Sequence, residues 1–186
     1  MQFHKLPILF SGKTFLFNSI IGVLLVKDDT EECIKKKIPT QVFNQYQLVL
    51  NPFLIKSSTN KIEEFKVNLR AKLFAKLMVF TCKRSFLLAR FLTKISIIKF
   101  DSTKTAIATF KKIYPSSLHQ RTLCLPRTLF AIATSKTFKK NGTAFIGVFL
   151  PSKKMHAWII EDETNPDPND DGWICYQPLV CIYKNY

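Results

Sequence analysis

The hydrophobic pattern divides the chain into three regions. Short apolar runs separated by polar turns occupy residues 1–57, whereas residues 62–140 carry apolar positions at three- and four-residue spacing. Short apolar runs return from residue 143 onwards. Because the first and third patterns are typical of strands and the second is typical of helices, the sequence predicts an α+β fold.

The first region predicts strands and one short helix. In "ILFSGKTFLF" a Ser-Gly turn separates two apolar runs, which indicates a hairpin, and "SIIGVLLV" predicts a further buried strand. "DDTEECIKKKI" predicts a helix, with acids in its first turn and lysines in its last. The apolar stretch 14–26 is shorter than the roughly 20 residues of a membrane span, so we expect a buried strand pair or core helix there.

The second region contains the longest periodic segment, residues 62–99. Its apolar positions continue past "TCKRS", and Lys and Arg occupy the other positions. This pattern predicts one bent helix or two helices, amphipathic and basic, that cover a core with one face. We expect the following apolar residues to form that face: Ile62, Phe65, Leu69, Leu73, Leu77, Phe80, Phe86, Phe91, Leu92 and Ile95.

Two further helices are predicted between residues 101 and 142. "DSTKTAIATFKKIYPSS" has Asp101 or Ser102 as its N-cap and Pro115 as its stop. The next helix has Pro126 in its first turn, and Asn141-Gly142 predicts a left-handed end. Cys124 therefore lies at the N-terminal edge of a helix of about four turns.

The third region predicts strands around an acidic loop. "TAFIGVFL" and "MHAWIIED" are expected to pair antiparallel, and "ETNPDPNDDG" reads as an acidic loop. "WICYQPLVCIY" predicts a last strand that is broken, or lies at a sheet edge, at Pro178. We divide the chain into residues 1–57 as a small N-terminal unit, 58–117 as a basic helical region and 118–186 as a core.

Charge is distributed unevenly over these regions. The net charge is +15, but residues 141–186 contribute −3 and residues 1–140 contribute +18. A basic surface attracts nucleic acid, anionic lipid or an acidic peptide, although a lysine-rich composition on solvated faces gives the same count. "SGKT", residues 11–14, lacks the first glycine of a phosphate-binding loop because position 7 is Pro, so we expect no nucleotide there.

The five cysteines have irregular spacing and no CxxC pair, which supports neither a zinc ribbon nor a disulfide scaffold. Reduced thiols in a cytoplasmic protein fit this usage best. A helix N-terminus lowers the pKa of a thiol, and Cys124 holds such a position. A catalytic thiolate also needs an imidazole, and the sequence offers His4, His119 and His156.

His156 is the strongest candidate partner for Cys124. It lies near the start of a predicted strand and precedes the acidic loop, whereas His4 is terminal and His119 falls in a polar loop. A lone cysteine and a lone histidine are more often structural residues. The order Cys-on-helix, strand, His-on-strand, acid and strand nevertheless matches the order in transglutaminase-like and papain-like thiol enzymes.

A closer resemblance covers roughly residues 118–183. This segment resembles the C-terminal domain of the lasso peptide B-type maturation proteins, a family of leader peptidases with a transglutaminase-like fold. The matching motifs are Cys124-Leu125, Arg127-Thr128-Leu129, Asn141-Gly142, Ile146-Gly147-Val148, His156-Ala157-Trp158 and the closing "YQPL". The resemblance implies a papain-like domain with a nucleophile helix on an antiparallel sheet, preceded by a helical layer and a small N-terminal α/β unit.

The resemblance also implies a function and a catalytic triad. The protein would remove the leader from a ribosomally made precursor peptide, and an asparagine-synthetase-like cyclase would then close the ring. Cys124 would be the nucleophile and His156 the base. Asp167 is our choice for the acid and Asp170 the runner-up, while Asp162 at the end of the histidine strand is a weaker choice, because "ETNPDPNDDG" departs from the family pattern here.

Further expectations concern the N-terminal unit, cofactors and alternatives. Longer family members bind the leader with an N-terminal winged-helix domain, and residues 1–57 are compatible with one. The family is linked to ATP-dependent activity, but the sequence shows no ATP motif and no metal or cofactor motif. Nucleic acid and membrane are not expected partners. The alternatives are another amide-hydrolysing or acyl-transferring enzyme on this scaffold and a non-catalytic basic binding module.

Overall fold

The computed structural model describes residues 2–6, 8–11, 13–20, 23–28, 56–57, 67–115, 123–167 and 171–183. Helices and mostly antiparallel sheets combine into an α+β fold, as the sequence predicts. His119 and Asp170 lie outside the described residues, as does the segment with the predicted helix, "DDTEECIKKKI", after its first residue. Among the residues that are described, no helix combines the length and apolar composition that crossing a bilayer demands.

Nine strands form two sheets in the described part of the chain. The larger sheet has the order β1-β9-β6-β7-β8-β5 and the smaller has the order β2-β3-β4. All neighbours are antiparallel except β5 and β8, which are parallel. The strands are β1 Gln2–Lys5, β2 Ile8–Phe10, β3 Lys13–Asn18, β4 Val23–Asp28, β5 Lys56–Ser57, β6 Gly142–Phe149, β7 Lys154–Glu161, β8 Thr164–Asn165 and β9 Gln177–Tyr183.

The small sheet confirms the predicted hairpin. β2 pairs antiparallel with β3, from Phe10 opposite Lys13 to Ile8 opposite Phe15, and β3 buries Phe15 and Phe17. The predicted strand after it exists as β4, but the expectation that it is buried is wrong, since Val23, Leu25 and Val26 are all exposed. β4 pairs with β3 over its whole length and contributes little to the core.

Five helices are described: α1 Leu69–Arg84, α2 Phe86–Ile95, α3 Thr103–Ile113, α4 Cys124–Thr134 and the short α5 Phe138–Asn141. The periodic segment is thus two helices, and Ser85 divides them. Ser85 has extended backbone angles, so it ends α1, while its side chain accepts a hydrogen bond from the Leu88 N–H and caps α2. Of the two N-caps that the sequence leaves open for α3, the structure selects Ser102, whose side chain accepts from the Thr105 N–H.

The predicted core face of α1 is wrong. The leucine positions and Phe80 are exposed, and the helix instead buries Ala71, Ala75, Met78 and Thr81. Small side chains let the axis of α1 approach α4, where the Phe74 and Phe130 rings meet at 5.8 Å. The wider apolar stripe, Leu69, Leu73, Leu77 and Phe80, faces solvent.

α4 is the centre of the fold. Every residue from Pro126 to Thr134 is buried, and the Phe130 ring contacts aromatic rings at positions 74, 100 and 110. One face of the large sheet packs against α4 and the other helices, and Ala144, Ile146, Ala157 and Ile159 belong to that core. The opposite face carries a second cluster built from Phe145, Trp158, Ile160, Trp173 and Cys181.

The end of α4 differs from the prediction. The helix stops at Thr134, and Gly142 is extended (φ −87°) rather than left-handed. Ser135 breaks the helix, and its hydroxyl accepts from the Phe138 N–H. Glycine is required at 142 for space, because a Cβ there would lie 2.3 Å from the Phe138 ring.

The two ends of the chain share one sheet. β1 pairs with β9, and β5 pairs with β8, so the predicted N-terminal unit contributes strands at both edges of the sheet that residues 142–183 build. The small sheet also contacts the helices, since the Phe17 ring lies edge-on to Phe86 at 5.1 Å.

Candidate functional site

Cys124 is the first residue of α4, as its motif predicts. Its side chain is 6% exposed, and the preceding Leu123 has no polar side-chain atom that could cap the helix. The first N–H groups of a helix carry partial positive charge, which can stabilise an oxyanion at this position. The placement therefore suits a nucleophile, although the thiol is largely covered.

A second thiol lies close to Cys124. Burial, followed by the charge of a Cys124 thiolate, raises the pKa of Cys82 on α1 to about 12. Cys181 is buried and Cys175 is exposed, and all four described cysteines are free of disulfides.

We expect alkylation to separate these thiols. Because burial raises the pKa of Cys82 to about 12, iodoacetamide should not label this thiol at neutral pH in the folded protein. Labelling of Cys82 should rise only in strongly alkaline solution. Cys175 serves as the exposed control that labels throughout. Peptide mapping by mass spectrometry measures each site, and an activated Cys124 must label faster than Cys82; equal rates would argue against a thiolate.

Asp167 lies in a buried ion-pair cluster on the helix side. It is 4% exposed, and Arg127 Nη1 lies 3.3 Å from its Oδ2. Lys111 Nζ of α3 donates to Asp167 Oδ1, and the Asp167 N–H donates to Asn165 Oδ1 at 2.9 Å. The carboxylate thus ties α3 and α4 to the chain segment that follows β8.

Arg127 places this cluster about one helical turn from Cys124. The two residues are three positions apart on α4, so they lie on neighbouring parts of one helix face. Arg127 is also buried, and buried charged side chains are usually paired, as Arg127 is with Asp167. Arg127 is the only charged residue of α4, and this was the sequence signal for a buried ion pair. Nothing local indicated that Asp167 and Lys111 are its neighbours in the cluster.

His156 faces the other side of the sheet. Its neighbours on β7, Met155 and Ala157, pack with the helix-side core, so strand alternation turns His156 to the opposite face. There its ring lies 6.0 Å from the Trp158 ring and 5.1 Å from the Tyr176 ring. The structure therefore brings Cys124 and Asp167 to the helix side and leaves His156 on the far side.

Gly147 shapes the surface around His156. It is the cross-strand partner of His156 on β6, and a Cβ on Gly147 would lie 2.7 Å from the Trp158 ring and 2.6 Å from the Gln177 carbonyl oxygen. The missing side chain lets the indole lie flat over β6. The buried Trp158 Nε1 has no hydrogen-bond partner within the described ranges.

The site shows no metal centre in the described part of the chain, where no three His, Cys, Asp or Glu side chains are close enough to share an ion. Comparisons with protein-family models, with curated proteins and with solved structures find no match for this chain.

Proposed function

We propose that the protein is a cysteine peptidase that removes the leader from a lasso peptide precursor in the cytoplasm, before a separate cyclase closes the ring. The observation that carries the proposal is the position of Cys124 as the first residue of a central buried helix that lies against β7. The motif resemblance supplies the substrate class, and the irregular cysteine spacing without a CxxC pair favours a reducing compartment.

The proposed chemistry begins with the thiolate at the helix start. Cys124 Sγ attacks the carbonyl carbon at the leader–core junction, and N–H groups at the start of α4 stabilise the oxyanion. A protonated base then donates to the leaving amine, and water hydrolyses the thioester. The nucleophile helix on an antiparallel sheet is the arrangement that a transglutaminase-like domain would use.

The base remains a prediction. Since the His156 ring stacks on the far face, it must leave Trp158 and Tyr176 to reach Cys124, or His119 must take this role. The contacts of Asp167 with Lys111 and Arg127 favour a role in holding α4, whereas Asp170 remains the alternative acid of the proposed triad.

The test is cleavage of a candidate precursor, taken from a short reading frame beside the coding sequence. Mass spectrometry should detect separate leader and core peptides with wild-type protein, with and without ATP. We expect His156→Ala to lower the rate by roughly a hundredfold or more if His156 is the base. His119→Ala is the matched control, and the reverse ranking would transfer the role to His119. Uncleaved precursor under all conditions would contradict the proposal.

A non-catalytic binding module is the second candidate. It is favoured by residues 67–100, which hold eight Lys or Arg and no Asp or Glu. Stacking on nucleic-acid bases needs exposed aromatic rings, and the rings of Phe80 and Phe91 are exposed. A binding module would keep its full activity when Cys124 is replaced.

A further inference from the structure

An apolar and basic surface covers the outside of α1 and α2. The apolar side chains Leu73 and Phe80 on α1 and Leu87 and Phe91 on α2 are all more than half exposed. A surface this apolar is uncommon on a soluble chain that has no binding partner. Cations flank it, and no acid occurs between residues 67 and 100.

Part of this surface is concave. A groove of about 610 Å³ lies along α2, lined by Ser85, Leu87, Leu88, Arg90, Phe91 and Lys94. This volume lies within the range of pockets that hold ligands. We name this feature the α2 groove. It combines apolar walls with two cationic groups, Arg90 and Lys94.

The walls of the α2 groove are held in place. The Arg90 guanidinium stacks over the Phe3 ring at 3.7 Å, and burial lowers the pKa of Arg90. The Leu87 N–H donates to the Ile20 carbonyl oxygen at 3.3 Å, so the turn between β3 and β4 contacts the start of α2. Ile20 is itself exposed and extends the apolar surface towards β4.

We propose that the α2 groove binds an amphipathic peptide segment whose polar side chains are acidic. Apolar side chains would enter between Leu87, Leu88 and Phe91, and carboxylates would pair with Arg90 and Lys94. The absence of acids along both helices gives the charge complementarity. A concave groove can enclose a peptide. A helix that binds a membrane instead inserts projecting apolar side chains into the lipid, so the groove suits a peptide better.

The proposal deepens the proposed function, because the leader of the precursor becomes the expected source of this segment. The α2 groove joins the β3–β4 turn, so a leader in the groove would lie beside the small sheet. Binding requires no chemistry at Cys124, and the two proposals can fail separately.

Fluorescence anisotropy tests the groove with a labelled synthetic peptide whose leucines and glutamates follow helical spacing. We expect Phe91→Ser to weaken binding about tenfold, since it removes an aromatic anchor from the groove. Phe80→Ser is the matched control, because both rings are 56% exposed and Phe80 lies outside the groove. We expect Lys94→Glu to weaken binding and Lys76→Glu, outside the groove, to leave it nearly unchanged.

Three controls decide the outcome. A peptide with lysine at each glutamate position should not bind, and added salt should weaken the acidic peptide. Equal loss with Phe80→Ser and Phe91→Ser, or equal binding of both peptides, would overturn the proposal. Phe91-dependent sedimentation with anionic vesicles, without peptide binding, would assign the surface to lipid instead. Binding that persists in Cys124→Ala protein separates this result from cleavage.

Discussion

Cys124→Ala is expected to abolish the release of leader and core from the precursor peptide, with a loss of at least about 10⁴-fold in rate. In the proposed mechanism Cys124 forms the covalent intermediate, so no other group could replace it. The side chain is buried and alanine removes a single atom, which leaves the helix intact. Single-turnover cleavage followed by mass spectrometry measures the effect.

The control for this experiment is Cys175→Ala. Cys175 is exposed and free, so its replacement removes a thiol without disturbing α4, and cleavage should continue at the wild-type rate. A Cys124→Ala protein that still cuts the precursor would refute the thiol peptidase. Thermal unfolding of both variants shows whether a lost activity reflects a lost fold.

Asp167→Ala is expected to lower the free energy of unfolding by about 3–5 kcal/mol, because it leaves the buried Arg127 guanidinium without its carboxylate. Lys111 is partly exposed and can turn to water, so it contributes less to the loss. Urea unfolding followed by circular dichroism measures the change, which should appear in the midpoint rather than in the slope.

Two variants give this prediction its contrast. Asp101 pairs with Lys136 at 2.8 Å but is 94% exposed, so Asp101→Ala should leave the midpoint almost unchanged. The pair Arg127→Met and Asp167→Leu removes both charges and should recover much of the stability. An equal effect of Asp101→Ala and Asp167→Ala would show that burial of the cluster contributes nothing.

Local signals predicted where α3 and α4 begin, although not where α4 ends. Ser102 and Pro126 mark the starts of α3 and α4, because capping and the missing proline N–H act within one turn of the chain. The Ser-Gly turn of the hairpin is local in the same sense. Such features depend on neighbours in sequence, so the sequence alone was sufficient for them.

The buried faces were harder to predict, since both faces of α1 are apolar. Hydrophobic spacing selected the leucine stripe, whereas close packing against α4 selected Ala71, Ala75 and Met78. The sequence also predicted that His156 lies on a strand, but it did not predict which face of the sheet the side chain occupies. Side chains alternate between the two faces of a strand, and packing against α4, which is distant from β7 along the chain, decides which face is covered.

The pairing of β1 with β9 has a mechanical consequence. Gln2 lies opposite Tyr183 and Lys5 lies opposite Val180. The start of β1 and the end of β9 therefore lie side by side at the same end of the antiparallel pair. A force that pulls residues 2 and 183 apart therefore loads one pair of backbone hydrogen bonds at a time. The edge strand β1 would separate from β9 at low force, while the hydrogen bonds between β6 and β7, further into the same sheet, stay intact.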